Sequence, residues 1–136
     1  MLSTLPPNKI LLFGTFDHLH PGHVFVFQEA MKRGSVTVVV ARDANVQKIK
    51  GHLPEQSETE RMRAIQNFFP NITPVLGDPD DFLEPVRSVH PDLILLGYDQ
   101  KLPPGVTEKD LPCPVERLGS HQPEEFKSSK RRGKNA

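Results

Sequence analysis

Residues 9–41 read KILLFGTFDHLHPGHVFVFQEAMKRGSVTVVVA, and the order of apolar runs in them predicts a β–α–β unit. The run Lys9–Thr15 is apolar and ends next to a glycine, as a strand buried on both faces does. Pro21 fits the first turn of a helix that Gly34 ends, and Ser35–Ala41 is a continuous β-branched run typical of a second buried strand. Two strands joined in this way pair in parallel through a right-handed crossover. We therefore expect an α/β sheet.

The rest of the chain carries further strand and helix patterns. Ser57 and Glu60 have the spacing of a capping box and predict a helix over Glu58–Phe69. The polar stretch Arg42–Gln56 before it is predicted to be a flexible segment. The remaining predicted elements are a strand at Ile72–Leu76, a short helix at Asp80–Val89 that Pro85 kinks or restarts, a strand at Asp92–Gly97 and a last strand at Pro114–Leu118. Five parallel strands result.

Composition sets the class of protein and excludes others. The 136 residues fit one domain, and 17 basic residues balance 17 acidic ones, which excludes both a disordered chain and a uniformly basic nucleic-acid binder. Cys113 is the single cysteine, so an intramolecular disulfide and a cysteine-built zinc site are excluded. No apolar run approaches the roughly 20 residues of a membrane span, and residues 1–9 lack the pattern of a secretory signal. We expect a cytoplasmic location and no membrane partner.

The C-terminus differs in composition from the rest. Residues 127–136 contain five lysines and arginines and no acidic or apolar residue before the final alanine, which is typical of a solvated, flexible tail. The predicted organisation is one domain over 1–126 followed by this basic tail. The tail lacks interleaved aromatic residues, which argues against a nucleic-acid partner.

The candidate chemistry lies in GTFDHLHPGH, residues 14–23. Gly14 ends a strand where a ligand can approach the backbone, and the amides that begin the next helix form a natural site for an anion. His20 and His23 frame Pro21 and Gly22 at that helix entry, a spacing that indicates joint contact with a phosphate. Zinc binding by His18, His20 and His23 is a weaker interpretation, because no carboxylate or thiol ligand accompanies them at helical spacing. The chain contains neither a P-loop nor a dinucleotide fingerprint, so another nucleotide scheme is needed.

These residues carry a resemblance to a known family. GTFDHLHPGH resembles the HxGH signature of the cytidylyltransferase-like nucleotidyltransferases, which join a nucleoside triphosphate to a phosphate monoester and release pyrophosphate. Further matching stretches are ARDANVQKIKG from Ala41, ETERMRAI with Arg61, LGYDQ at residues 96–100 and FKSS at residues 126–129. The ARD and LGYDQ segments are most similar to the archaeal-type FAD synthases, which adenylylate FMN.

The resemblance implies a fold and a set of site residues. The fold is a Rossmann-like, doubly wound parallel sheet with strand order 3-2-1-4-5, whose ligand crevice lies between strands one and four. The residues that the resemblance implies as catalytic are His20, His23, Lys50 and Arg61. Those that it implies as nucleotide-binding are Gly14, Thr15, Phe16, Asp17, Gly22, Lys48, Gly97, Tyr98, Asp99, Gln100, Ser128 and Ser129.

The expected reaction is an in-line attack by the acceptor phosphate on the α-phosphorus of the triphosphate. His20 and His23 are expected as a protonated imidazolium clamp, with Lys48, Lys50 and Arg61 neutralising the β- and γ-phosphates. Mg²⁺ is expected as the metal, bound mainly through the triphosphate and with no assigned protein ligand. Asp43 is expected to cap a helix or to turn the chain.

Two alternative functions stay open from the sequence. The small single-domain format is also that of the glycerol-3-phosphate cytidylyltransferases, although the RTxGIST-like ending of those enzymes is replaced here by EEFKSS. A non-catalytic nucleotide- or flavin-binding module would keep the same pocket. The choice between ATP and CTP, and the identity of the acceptor, cannot be read from the residues, and a homodimer is expected from the resemblance alone.

Overall fold

A five-stranded parallel sheet in the order β3-β2-β1-β4-β5 runs through the protein, as a computed structural model of the chain shows. The structure describes residues 8–103 and 105–119. The elements are β1 (Asn8–Gly14), α1 (Pro21–Arg33), β2 (Gly34–Val40), α2 (Asp43–Lys50), α3 (Glu58–Phe68), β3 (Thr73–Leu76), α4 (Leu83–Val89), β4 (Leu93–Leu96), a 3-10 turn (Glu108–Asp110) and β5 (Val115–Arg117). The predicted α/β class and strand order are confirmed. Ser128, Ser129 and the basic tail over 127–136 lie outside the described residues.

Helices cover both faces of the sheet. Because successive strand residues point to opposite sides, each strand contributes side chains to both cores. Ile10 and Leu12 of β1 pack with Phe27 of α1 in one core cluster. Leu11 belongs to the other cluster, together with Val86 of α4. Apolar residues at consecutive β1 positions are therefore required, which explains why the strand reads as an unbroken apolar run. Within residues 8–103 and 105–119, no helix combines the length and apolar character needed to cross a bilayer.

Local signals in the sequence set most element boundaries. The capping box before α3 forms as predicted: Glu60 N donates to Ser57 Oγ at 3.1 Å, and Ser57 N donates to Glu60 Oε1 at 2.8 Å. The predicted helix at Asp80–Val89 begins three residues late, at Leu83, so Pro85 falls in its first turn and no kink is needed. Pro74 is tolerated because β3 is an edge strand of the sheet.

The stretch after β2 was predicted wrongly as flexible. Its first half is the helix α2, which carries Lys48 and Lys50. The helix has no side-chain cap at Arg42, so the usual start signal is absent. Its stop signal is present, because Gly51 ends it in the left-handed conformation with φ 86°. Asp43 is the first helical residue and interacts favourably with the positive end of the helix dipole.

Candidate active site

A cleft of about 1590 Å³ opens at the carboxyl ends of the strands, above the switch point between β1 and β4. Two loops that the sequence singled out face each other there, the one after β1 and the one after β4. The predicted site residues that line the cleft are Gly14, Thr15, Phe16, Asp17, His20, Gly22, His23, Lys48, Lys50, Gly97, Tyr98, Asp99 and Gln100. The structure therefore brings these residues to one site, while their individual roles stay predictions.

His20 and His23 form a stacked pair at the start of α1. Their ring centroids are 3.7 Å apart with an interplanar angle of 24°. His20 Nδ1 accepts from Gly22 N at 3.1 Å, and His23 Nδ1 accepts from His20 N at 3.4 Å. A Cβ at Gly22 would lie 3.0 Å from His20 Cε1, so the glycine makes room for this ring. Both Nδ1 atoms are thus turned to the backbone, and the Nε2 edges are left for a ligand.

The imidazolium clamp expected from sequence concerns the triphosphate-bound state and stays a prediction, but in the free protein the surroundings of His23 disfavour its protonated form. Burial, together with the neighbouring His20, lowers the pKa of His23 to about 4. A neutral imidazole that accepts at Nδ1 carries its proton on Nε2, an assignment that follows from the hydrogen-bond network. His23 is therefore a neutral donor at pH 7. The sequence also predicted that the first amides of α1 face the ligand, but Gly22 N already donates to His20.

Gly14 and Phe16 lie against each other at the end of β1. Phe16 has a positive φ of 56°, and its ring folds back over the end of β1. A Cβ on Gly14 would lie 2.6 Å from Phe16 Cζ, so the glycine makes room for this ring, and its role in ligand approach stays a prediction. Phe16 is 7% exposed and meets His23 edge-on, with centroids 5.2 Å apart. Phe16 is therefore placed to hold the His23 ring, and little of it is left to contact a nucleotide.

Asp17 ties the loop after β1 to the segment that precedes α3. Its carboxylate accepts from Glu55 N at 2.8 Å and from Gln56 N at 2.9 Å. His18 N donates to Gln56 Oε1 at 2.9 Å and gives a third hydrogen bond between the same two segments. Burial raises the pKa of Asp17, but the two amide bonds and the nearby positive charges outweigh it and hold the pKa below its usual value. The carboxylate thus accepts two backbone amides, and its expected contact with the nucleotide stays a prediction.

Arg61 lies behind the cleft wall. It is 0% exposed, and its guanidinium donates to Gln56 O at 3.1 Å, to Thr15 O at 2.8 Å and to Asp43 Oδ1 at 2.7 Å. Asp43 is the partner of this buried cation, a role beyond the cap or turn that the sequence predicted. The placement favours positioning of the surrounding loops over the direct phosphate contact expected for Arg61.

Helix α2 forms the second wall and presents cations to the cleft. Asp43 N donates to Glu58 Oε1 at 2.8 Å, and Asn45 Nδ2 donates to Asp78 O at 3.2 Å. These bonds fix the helix between α3 and the loop after β3. Lys48 and Lys50 are exposed and line the cleft from this helix. Their contact with a triphosphate stays a prediction.

The sequence did not indicate three further features of the cleft. Ile49 is 63% exposed on α2, and Phe82 lies before α4 with its ring 4.4 Å from that of Phe13. Arg117 Nη1 donates to the carbonyls of Gly97 and Gln100 and so fixes the loop after β4. An isoleucine between two lysines was a signal that could have been noticed. No local signal marks Phe82 or Arg117, because their roles depend on how distant segments meet.

A metal site built from protein ligands is not found in the described part of the chain. Among residues 8–103 and 105–119, no group of three or more histidine, cysteine, aspartate or glutamate side chains could hold an ion. Asp99 stands on the cleft wall without such a group.

Comparison with known proteins relates this fold and site to one family. The family model described as Cytidylyltransferase-like matches residues 11–119, a range that contains the cleft lining. A protein named FAD synthase from Methanolacinia petrolearia is 38% identical over 130 residues, which cover 90% of this chain and 86% of that protein. Another FAD synthase, from Aciduliprofundum boonei, is 45% identical over 94 residues, covering 68% of this chain and 62% of that protein.

A solved structure is also similar. The lipopolysaccharide core biosynthesis protein from Thermoplasma volcanium GSS1 superposes with a TM-score of 0.73 at 30% sequence identity. The match covers 84% of this chain and 98% of that one, so most of this fold has a counterpart in a crystal structure.

Proposed function

The chain belongs to the cytidylyltransferase-like family, and we propose that it acts in this family as an FAD synthase, an FMN adenylyltransferase. The observation that carries this assignment is the 38% identity to a named FAD synthase over 90% of the chain. The cleft supports it, because a stacked histidine pair, two lysines and the loop after β4 converge there. The reaction joins ATP to FMN and releases pyrophosphate.

The size of the cleft supports two substrates bound side by side. Its volume of about 1590 Å³ exceeds the ~300–1,000 Å³ typical of a site for one drug-sized ligand. We assign the nucleotide to the half next to β4, where Tyr98 is 56% exposed and can stack on a base. The flavin ring is assigned to the half next to β3, where Ile49, Pro79 and Phe82 offer apolar surface.

The chemistry needs donors placed where negative charge develops. A phosphate oxygen of FMN attacks the α-phosphorus, the bond to the bridging oxygen breaks, and that oxygen leaves with pyrophosphate. The Nε2–H groups of His20 and His23 would donate to the phosphoryl oxygens, and Lys48 and Lys50 would neutralise the leaving group. The FMN phosphate is already ionised at pH 7, so no general base is required.

Arg61 supports this arrangement from behind. It joins Thr15, on the loop that leads to the histidines, to Asp43 at the start of the lysine-bearing helix. Because the two groups of donors must be held at a fixed separation around one triphosphate, such a link contributes to positioning. We assign Arg61 as a positioning residue.

Magnesium, assembly and location complete the proposal. We assign Mg²⁺ to the substrate, as MgATP, where it would neutralise phosphate charge. A homodimer and a cytoplasmic location stay predictions. Contacts from Ser128 and Ser129 also stay predictions, since both residues lie outside the described ranges.

A substrate matrix tests the function. The purified protein is incubated with Mg²⁺ and either ATP or CTP, with FMN or glycerol 3-phosphate added in turn, and pyrophosphate release is measured alongside flavin products by chromatography. We expect release with ATP and FMN, with FAD formed in equal amount, and loss of both in His20→Ala. Pyrophosphate release with CTP and glycerol 3-phosphate would overturn the assignment. No release in any mixture would instead favour a non-catalytic binding module.

A further inference from the structure

The side-chain amide of Gln100 lies between the ends of the two strands that flank the crevice. Gln100 Nε2 donates to Phe13 O at 2.7 Å, at the end of β1, and Gly97 N, just past β4, donates to Gln100 Oε1 at 3.1 Å. One amide therefore satisfies a carbonyl of one strand and an amide group of the other. Gln100 is half-buried, so leaving these groups without partners would be costly.

Strand alternation shows what this amide replaces. Alternate residues of a strand turn their N–H and C=O groups to the same neighbour. Gly14 O accepts from Ala41 on the β2 side, so Phe13 O faces β4; Leu96 O accepts from Leu118 on the β5 side, so Gly97 N faces β1. Phe13 O and Gly97 N would be joined as the next rung of the β1–β4 ladder if the strands stayed in contact. Gln100 is inserted into that rung.

The other strand borders are closed in a different way. Beyond the strand ends, Ala41 N donates to Gly14 O, Gly77 N donates to Val40 O, and Leu118 N donates to Leu96 O, each between backbone atoms. At the β1–β4 border, side-chain atoms take the place of a direct bond between Phe13 and Gly97. The insertion coincides with the switch point, where doubly wound sheets bind ligands.

We propose that Gln100 is a positioning residue that holds β1 and β4 apart at the crevice and thereby sets the width of the nucleotide half of the cleft. It acts through the backbone at Phe13 and Gly97, whereas the sequence predicted direct contact between Gln100 and the nucleotide. Arg117 supports the same loop by donating to the carbonyls of Gly97 and Gln100. This inference rests on the proposed function for the identity of the nucleotide, but its geometric content holds for any triphosphate bound there.

Two substitutions separate the two hydrogen bonds. Gln100→Leu removes both bonds at similar volume. Gln100→Glu keeps an acceptor for Gly97 N but, when ionised, turns a second acceptor toward Phe13 O. We expect each to raise the KM for ATP by about tenfold or more while the KM for FMN changes less than about twofold, because a misplaced wall affects the half that it lines. Gln66→Leu, at an exposed glutamine on α3, is the matched control and should behave as the wild type.

Acid rescue provides a readout that a general loss of stability would not produce. When protonated, the carboxyl introduced by Gln100→Glu can donate to Phe13 O and accept from Gly97 N, as the glutamine does. The ratio of the ATP KM of Gln100→Glu to that of the wild type should therefore fall as the pH is lowered from about 7.5 to about 5.5, the range in which a partly buried carboxyl titrates. Gln100→Leu should show no such recovery.

The outcomes distinguish this inference from the function on which it rests. Unchanged ATP kinetics in both variants, or equal losses for ATP and FMN without acid rescue, would overturn the positioning role and leave the FAD synthase assignment intact. Direct binding of ATP and of CTP by calorimetry covers the converse case. If the wild type makes no FAD but binds a triphosphate that the Gln100 variants bind more weakly, the function fails and the positioning role stands.

Discussion

His23 is the residue whose chemistry the fold has changed most. Its Nδ1 accepts a hydrogen bond from His20 N, and its ring lies between those of His20 and Phe16. Burial and the neighbouring His20 lower its pKa to about 4. We predict that His23→Ala lowers kcat by about 10²- to 10³-fold, as does the loss of one donor to a developing oxyanion. Steady-state FAD formation measures this effect.

The same variant should remain folded. The lost cap bond and ring contacts should cost about 1–2 kcal/mol of unfolding free energy, measured by urea denaturation. His90→Asn is a suitable control, because His90 is exposed, outside the cleft lining, and has a φ of 54° that asparagine also adopts. A turnover unchanged in His23→Ala would remove this residue from the mechanism.

Acidification should test the neutral state of His23 in two ways. Its folded pKa of about 4 lies below the ordinary value of 6.5, so the unfolded chain binds a proton at a pH where the folded protein does not. The stability that this group contributes is therefore fully present above pH 6.5 and is lost as the pH falls toward 4. His23→Gln, which cannot titrate, should show a flatter dependence of unfolding free energy over that window.

The pH dependence of catalysis should also reflect the neutral state of His23. If neutral His23 donates, kcat/KM for ATP should show no titration of this residue between about pH 6 and about pH 8, so the wild type and His23→Gln should have profiles of the same shape, since this ratio reports groups of the free enzyme. A decline above about pH 6.5 in the wild type, absent in His23→Gln, would instead restore the imidazolium clamp.

Between elements, Arg61 joins three segments that are distant in sequence. Its removal leaves Asp43, Thr15 O and Gln56 O without their buried partner. We predict that Arg61→Met lowers the unfolding free energy by about 3–5 kcal/mol, the cost of breaking a buried ion pair from one side. Arg61→Lys should recover part of the loss at most, because an ammonium cannot reproduce the planar fork.

A double-mutant cycle and a neighbouring arginine make this measurement specific. The combined Arg61→Met, Asp43→Ala variant should cost less than the sum of its single variants, because the two side chains share one interaction. Arg63→Met removes an exposed arginine two residues along the same helix and should change stability by less than about 0.5 kcal/mol. Equal effects at Arg61 and Arg63 would contradict a buried role.

The elements also show how far sequence reasoning extends. Strands β1 and β2 and helices α1 and α3 follow from local signals: apolar runs, Pro21, and the box formed by Ser57 and Glu60. Helix α2 was missed because its start carries no cap, and its anchoring bonds come from Glu58 and Asp78, which no local pattern reveals. The membership of the cleft could be predicted from two motifs, but the bonding of Asp17, Arg61 and Gln100 could not. Those side chains satisfy backbone groups of other loops, which only the tertiary arrangement identifies.

At the scale of the whole molecule, ligand binding should bridge the two halves of the sheet. The loops over 14–23 and 97–102 approach from opposite sides of the switch point and line one cleft, so a bound nucleotide should order both. At about 100 times its dissociation constant, the ligand should stabilise the folded state by about 2.7 kcal/mol. Hydrogen exchange with a non-hydrolysable MgATP analogue should therefore show protection in both loops together.

Peptides over 88–92 and 108–114 contain no residue of the cleft lining and serve as the internal control. Protection confined to one loop would mean that the nucleotide binds to one half of the sheet, and the shared site at the β1–β4 border would then be wrong even if the fold is right.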